Sequence, residues 1–315
     1  MEKDKEGILF KSRSSRACIA DGFRLYLGQF KRIFRYTWVA ALIFAIVNGI
    51  FCTYYVTEYP RLMVALQTGS AGWAQQVDMS VVMMAGALLV LMACILLWSY
   101  VFSMLNAHKS DGEMPWTPRV LHVDRSSVWR LLKATLWGLL FVIAVAVVVS
   151  AVAVMGGKVL SRMTAVGFAA VVLIVMSVLC VPLHYVFCKY LLTPDLKFTS
   201  VLRVGYAIGL RHIGTLLAVL IVTYIAVAMI AWLTSLPMLV LYLANIQSQT
   251  GVLLGDPLGM PSYMMNLTAA VFVLASFLQA YVLMTGLFPL YYAYGSIEVS
   301  EDERTKALNQ MEKHK

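Results

Sequence analysis

The chain has 315 residues, of which 61% are hydrophobic and 13% charged, with a mean hydropathy of +0.78. Soluble domains run nearer half apolar and a quarter charged, so this composition excludes an ordinary soluble fold. The net charge of +9 does not by itself point to nucleic acid, because the cations follow the hydrophobic blocks.

Residues 1–20 read as a polar, basic cytoplasmic arm, poorly ordered. Met1 to Glu6 is polar, and the first long apolar run begins near Tyr36, too far in and too long for a cleavable signal. The first span is therefore expected to act as an uncleaved anchor. From Gly22 to Arg35, Phe23, Leu27, Phe30 and Phe34 share one helical side while Arg24, Lys31 and Arg35 take another. That pattern predicts a basic amphipathic helix in the membrane interface, with Arg24, Lys31, Arg32 and Arg35 as candidate contacts to anionic lipid.

Six apolar blocks follow, at about 36–57, 79–105, 131–155, 163–191, 213–243 and 264–294. Each reaches the roughly 20 residues that cross a hydrocarbon core about 30 Å thick. Ala41, Ala45 and Gly49 make a small-residue stripe along the first, as Gly205 and Gly209 do near the fifth, and both suit close packing inside the molecule. Asn48 and Gln279 are placed to hydrogen-bond between helices. Glu58 to Asp78 is expected to be a loop with a short helix from Pro60, Lys158 to Arg162 a tight turn, and Asn245 to Met265 a Gly- and Pro-rich loop. Asp124 to Ser127 reads as the cap of a lead-in to span three. Pro194-Asp195 or Thr199-Ser200 caps another that ends at Arg211-His212. Pro237 predicts a kink or break in span five. The charged tail, 298–315, reads as a short solvated helix or disorder.

Of the 25 Lys and Arg, all but Arg61, Lys158 and Arg162 lie before span one, in the second and fourth connections, or in the tail. This bias places both termini in the cytoplasm. Cys18, Cys52, Cys94, Cys180 and Cys188 offer neither a disulfide framework nor metal-ligand spacing.

One short pattern recurs where apolar runs meet basic clusters: Leu97-Trp98-Ser99-Tyr100-Val101-Phe102, Pro182-Leu183-His184-Tyr185-Val186-Phe187 and Pro289-Leu290-Tyr291-Tyr292-Ala293-Tyr294. It predicts that the membrane domain, 21–297, is three two-helix repeats (21–107, 124–192 and 199–297), each with an interfacial lead-in. Pro182 and Pro289 would free the carbonyls of Val178 and Thr285. On that basis the inner ends of the even spans are expected to surround a cytoplasm-facing vestibule lined by Tyr100, Tyr185 and Tyr292, with His184, Pro182, Pro289 and Gln279 as further members.

The span cores carry no Asp, Glu, Lys or Arg, which argues against ion-coupled transport and voltage sensing. Zinc-protease, serine-hydrolase, Walker and paired-cysteine motifs are absent, so no enzyme activity, cofactor or metal is expected. His108, Asp111, Glu113 and His122 share one connection, but their spacing suits a solvated loop better than a metal site.

Six spans in three pairs resemble the mitochondrial carriers, yet the Pro-x-acidic-x-x-basic signature of those proteins is missing. Gly22 to Leu27 through Phe34-Arg35-Tyr36-Thr37-Trp38, and Ser200 to Tyr206, resemble the amphipathic lead-ins of uncharacterised bacterial multi-pass proteins related to the membrane domain of glycerophosphodiester phosphodiesterases. The resemblance implies a bacterial inner-membrane location; the soluble phosphodiesterase domain has no counterpart here. Two functional classes remain. The first is a non-enzymatic scaffold or accessory subunit contacting lipid, a protein partner or a second copy of the chain. The alternative is a passive transporter of lipid or small solutes. Membrane lipids are expected partners and nucleic acid is not.

Overall fold

The computed structural model describes residues 9–67, 69, 72–111, 125–159, 162–193, 196–253, 261 and 263–313, and every regular element among them is a helix. Six stretches are long and apolar enough to cross a membrane, as the hydropathy pattern predicts. The fold is an all-α, multi-pass bundle.

A short helix, α1 (Ser15–Gly28), comes first; the Ser14 hydroxyl caps it by accepting from the Ala17 N–H at 3.3 Å. It stops at Gln29, whose N–H turns back to the Leu25 carbonyl. The first span, α2 (Phe30–Gln67), begins at once, so the continuous lead-in expected over 22–35 is broken in its middle. After α2, Gly69 takes a φ of 69°, the left-handed conformation glycine adopts without strain, and α3 (Trp73–Asp111) returns. The next hairpin is α4 (Arg125–Val159) and α5 (Arg162–Leu192). Here the lead-in and the span are one uninterrupted helix.

A second separate lead-in, α6 (Phe198–Arg211), turns at His212 into α7 (Ile213–Leu253). Its N-cap is Lys197, not Thr199 or Ser200, and no side chain bonds there. The last hairpin pairs α7 with α8 (Tyr263–Thr285), and α9 (Leu287–Lys313) continues after a turn at Gly286. Asp124, Pro194, Asp195, Glu113, His122 and the turn at 160–161 lie outside the described residues.

Proline ends neither α2 nor α7, so of the kink or break expected at Pro237 the break does not occur. Pro60 sits inside α2 and Pro237 inside α7, and both helices continue, α7 as far as Leu253. A proline removes one bond of the ladder, and packed neighbours can hold the rest together. The loop expected from Asn245 is therefore helical up to Leu253; its later part, 254–260, lies outside the described residues. Pro289 falls in the first turn of α9, where its missing N–H has no intrahelical partner to lose.

The packing is uneven along the bundle. At the end that gathers Arg13, Arg130, Lys189 and Arg211, called here the basic end, one large core joins parts of α1 to α9. At the opposite end, a small cluster of Val56, Leu241 and Phe272 ties α2, α7 and α8. Gly49 makes the α2–α8 contact close: a Cβ there would stand 2.6 Å from the Val273 Cα. Ala41 and Ala45 on the same stripe are fully buried, so the small-residue spacing marks an internal contact. The Asn48 amide donates to Ser276 Oγ across it at 2.9 Å. Among the described residues, those in the outer halves of α4 and α5 take no part in either cluster.

Candidate functional site

The three copies of the recurring pattern all reach the basic-end core, but they are not equivalent there. In the third, every residue from Phe288 to Ile297 is buried, so α9 is enclosed on all sides where it leaves the Gly286 turn. Tyr100, Tyr185 and Tyr292 are 8%, 1% and 5% exposed, and packed protein fills the region expected to be an open vestibule. Aromatic side chains of this size bury readily when their rings and hydroxyls meet suitable neighbours.

Each tyrosine meets a different neighbour. Tyr100 packs edge-on against Tyr36 at 6.0 Å between ring centres. The Tyr185 hydroxyl donates to Glu298 Oε1 at 2.5 Å, and the Arg13 guanidinium sits 4.8 Å above the Tyr292 ring. His184 and Gln279 point elsewhere, both toward α7: His184 Nε2 lies 3.1 Å from the Tyr224 hydroxyl, and the Gln279 amide donates to Ser235 Oγ at 2.6 Å.

The two prolines serve as seats for the lead-in helices. Gly22 of α1 lies against Pro289, where a Cβ would come 2.5 Å from the proline nitrogen. Gly209 of α6 lies against Pro182 in the same way, at 3.0 Å. Each lead-in also sends a tyrosine to a carbonyl near its proline. Tyr26 donates to the Tyr281 carbonyl at 2.8 Å, and Tyr206 to the Leu179 carbonyl at 3.0 Å.

Burial pushes the Tyr26 hydroxyl up from 10.0 to about 12. A raised folded value means that the protonated hydroxyl stabilises the fold fully below pH 10 and loses that contribution as pH climbs through about 12. Tyr26→Phe is expected to cost about 1 kcal/mol. The difference between the two proteins' thermal melts should stay constant from neutral pH to about pH 9.

The segment expected to be a poorly ordered arm is docked from Leu9 onward. Leu9 is buried, and its carbonyl closes over Gly295, where a Cβ would stand 2.6 Å away. The Arg13 N–H donates to Ser296 Oγ, whose hydroxyl donates back to the Arg13 carbonyl, at 2.9 and 3.1 Å. The Arg13 side chain then pairs with Asp21 at 3.0 Å.

Charge is spent inside this end of the molecule. Glu298 accepts from Lys189 at 2.7 Å, and Glu301 gathers His212, Arg211 and Arg304 at 3.0, 3.3 and 3.7 Å. The last carbonyls of α5, which a helix leaves unsatisfied, are covered by cations and an amide. Arg130 reaches Tyr190 and Thr193, Asn106 reaches Leu191, and Lys109 reaches Leu192. His108, a member of the suggested metal group, is buried on α3 and shares a 3.0 Å hydrogen bond with the Tyr291 hydroxyl. Among the described residues no cluster suits a metal ion.

Glu298 and Glu301 were illegible as anchors because they open a tail whose composition reads as solvated. The only signal was their spacing of three, which puts both on one side of a helix. At the opposite end, a cavity of about 160 Å³ lies between α2 and α3, lined by Tyr54, Glu58, Arg61, Leu62, Asp78, Met79 and Val82. No family model, curated protein or solved structure matches this chain.

Proposed function

We propose that this chain is a non-enzymatic integral protein of a bacterial cytoplasmic membrane, with both termini in the cytoplasm, acting as a scaffold or accessory subunit for another membrane protein. The observation that carries this reading is the α4–α5 hairpin. Its basic end is fastened through Arg130, Asn106 and Lys109, while the described residues of its outer half belong to neither buried cluster. Leu136, Leu140, Ile143 and Val147 recur at intervals of four, three and four along α4, and all are exposed. That spacing makes a continuous helical seam able to take a partner helix. The filled core at the basic end and the uncharged span cores support a docking role over a conduit. The lead-ins' resemblance to those of bacterial multi-pass proteins and the clustering of cations at one end support the location and orientation.

A photo-crosslinking side chain at Leu140 or Ile174 is expected to yield one discrete protein adduct in native membranes. The same group at Met229, equally exposed on α7, is expected to yield none. Pure protein in proteoliposomes should neither scramble lipid nor pass small solutes. Flux from the pure protein would overturn the scaffold reading in favour of the passive transporter.

A further inference from the structure

We propose that the elbow between α1 and α2 binds the phosphate headgroups of anionic phospholipids through Arg24, Lys31 and Arg35. This site is separate from the α4–α5 hairpin and does not depend on it. The elbow exists because α1 ends at Gln29 and α2 starts one residue later. One face of α1, made of Cys18, Gly22 and Tyr26, is buried against the rest of the molecule. The opposite face presents Arg16, Ala20, Arg24 and Leu27, all exposed. The row continues across the break as Lys31, Phe34, Arg35 and Trp38, also exposed.

Two features of this row select a lipid over water or a protein acid. First, apolar and cationic side chains alternate along it. Leu27 is 71% exposed, and Phe30, Phe34 and Trp38 are each at least 40% exposed, next to three cations. An interface with hydrocarbon on one side and phosphates on the other satisfies both kinds of group at once. Second, the cations have no protein partner. Among the described residues Arg24, Lys31 and Arg35 make neither a hydrogen bond nor an ion pair. Asp21, the acidic residue of α1, is held by Arg13 at 3.0 Å.

The other two lead-ins have spent more of their charge. At the start of α4, Arg130 is buried against the α5 carbonyls and Lys133 lies 5.3 Å over the Trp129 ring. On α6, Arg211 is paired with Glu301, leaving Lys197 and Arg203 exposed. Among the described residues, the α1–α2 elbow therefore carries three exposed cations within twelve positions that no acidic side chain neutralises. Arg32, the fourth member of the sequence-based set, is half-buried and has an interaction within the protein, so it drops out. The remaining three are preorganised, because the Gly22–Pro289 contact and the Tyr26–Tyr281 hydrogen bond fix α1 against α8 and α9.

The test uses the full chain in neutral detergent, titrated with a fluorescent short-chain phosphatidylglycerol. At about 1 kcal/mol per cation near an anionic surface, each charge contributes roughly fivefold in affinity. The Arg24→Gln/Lys31→Gln/Arg35→Gln protein is expected to bind about a hundredfold more weakly. Its melting temperature in lipid-free detergent should be unchanged, since all three side chains are exposed. A control, Lys197→Gln/Arg203→Gln/Lys306→Gln, should stay within a few-fold of wild type, and the charge-keeping Arg24→Lys/Lys31→Arg/Arg35→Lys protein should bind normally. Phosphatidylcholine should bind poorly, and millimolar inorganic phosphate should not compete. Equal affinity of the Gln triple and wild type, equal binding of phosphatidylcholine, or full competition by phosphate would each overturn the proposal.

Discussion

Gly22→Ala should lower the stability of the protein by about 3 kcal/mol, although alanine is the better helix former. The added methyl would meet Pro289 N, Pro289 Cα and the Phe288 carbonyl carbon at 2.5, 2.6 and 2.8 Å. All three are backbone atoms of α9, and none can rotate aside. Helix α1 has to withdraw by roughly 1 Å, which forfeits dispersion contacts along the whole interface and stretches the Tyr26–Tyr281 hydrogen bond. A drop of several degrees in the melting temperature in detergent is expected. The second readout is Cys18, fully buried on the same face, whose thiol burial also pushes up, out of the reactive range. Maleimide labelling of Cys18 should be slow in wild type and fast in Gly22→Ala. Gly28→Ala is the control, because a Cβ there meets nothing within 4 Å. It should be neutral or slightly stabilising and leave Cys18 protected. If Gly22→Ala melts with wild type and keeps Cys18 protected, α1 is not seated on α9.

What could be read from the sequence divides according to how local its cause is. The six spans were legible because hydropathy sums over a window, and the close internal packing of α2, though not its partner α8, because Ala41, Ala45 and Gly49 are neighbours on one helix turn after turn. The break at Gln29 was not, since helix periodicity continues across it from Phe23 to Phe34. The docking of Leu9 and Arg13 on Gly295 and Ser296 joins opposite ends of the chain, and a polar arm gives no local sign of such a partner. The vestibule failed for a related reason. An aromatic pattern at a membrane edge is compatible with a cavity wall and with a packed core, and only the enclosure of α9 decides between them. For Asn48 and Gln279 the expectation of interhelical hydrogen bonds was sufficient, because a polar amide in an apolar span has few other ways to be satisfied.

The same enclosure makes Glu298 the residue whose loss should matter most among the charged ones. Glu298→Ala removes the acceptor of both the Lys189 ammonium and the Tyr185 hydroxyl, at 2.7 and 2.5 Å. Breaking a fully buried pair costs about 3–5 kcal/mol, because the surviving charge is left without a partner. The side chains of Lys189 and Glu298 are 21% and 25% exposed, so water recovers part of that, and about 2 kcal/mol is expected. Asp302→Ala, one turn further along α9, should leave the melt unchanged, since its partner Lys306 is solvated. The double substitution Glu298→Leu/Lys189→Met separates pairing from packing. It should recover most of the lost stability, because no unpaired charge remains and only the Tyr185 hydroxyl lacks its acceptor. If Glu298→Ala instead behaves like Asp302→Ala, α9 leaves the core before residue 298 and the tail is as solvated as its composition suggests. If the double substitution is no better than Glu298→Ala alone, the carboxylate holds α9 in place chiefly through Tyr185, and Tyr185→Phe should then reproduce the full loss.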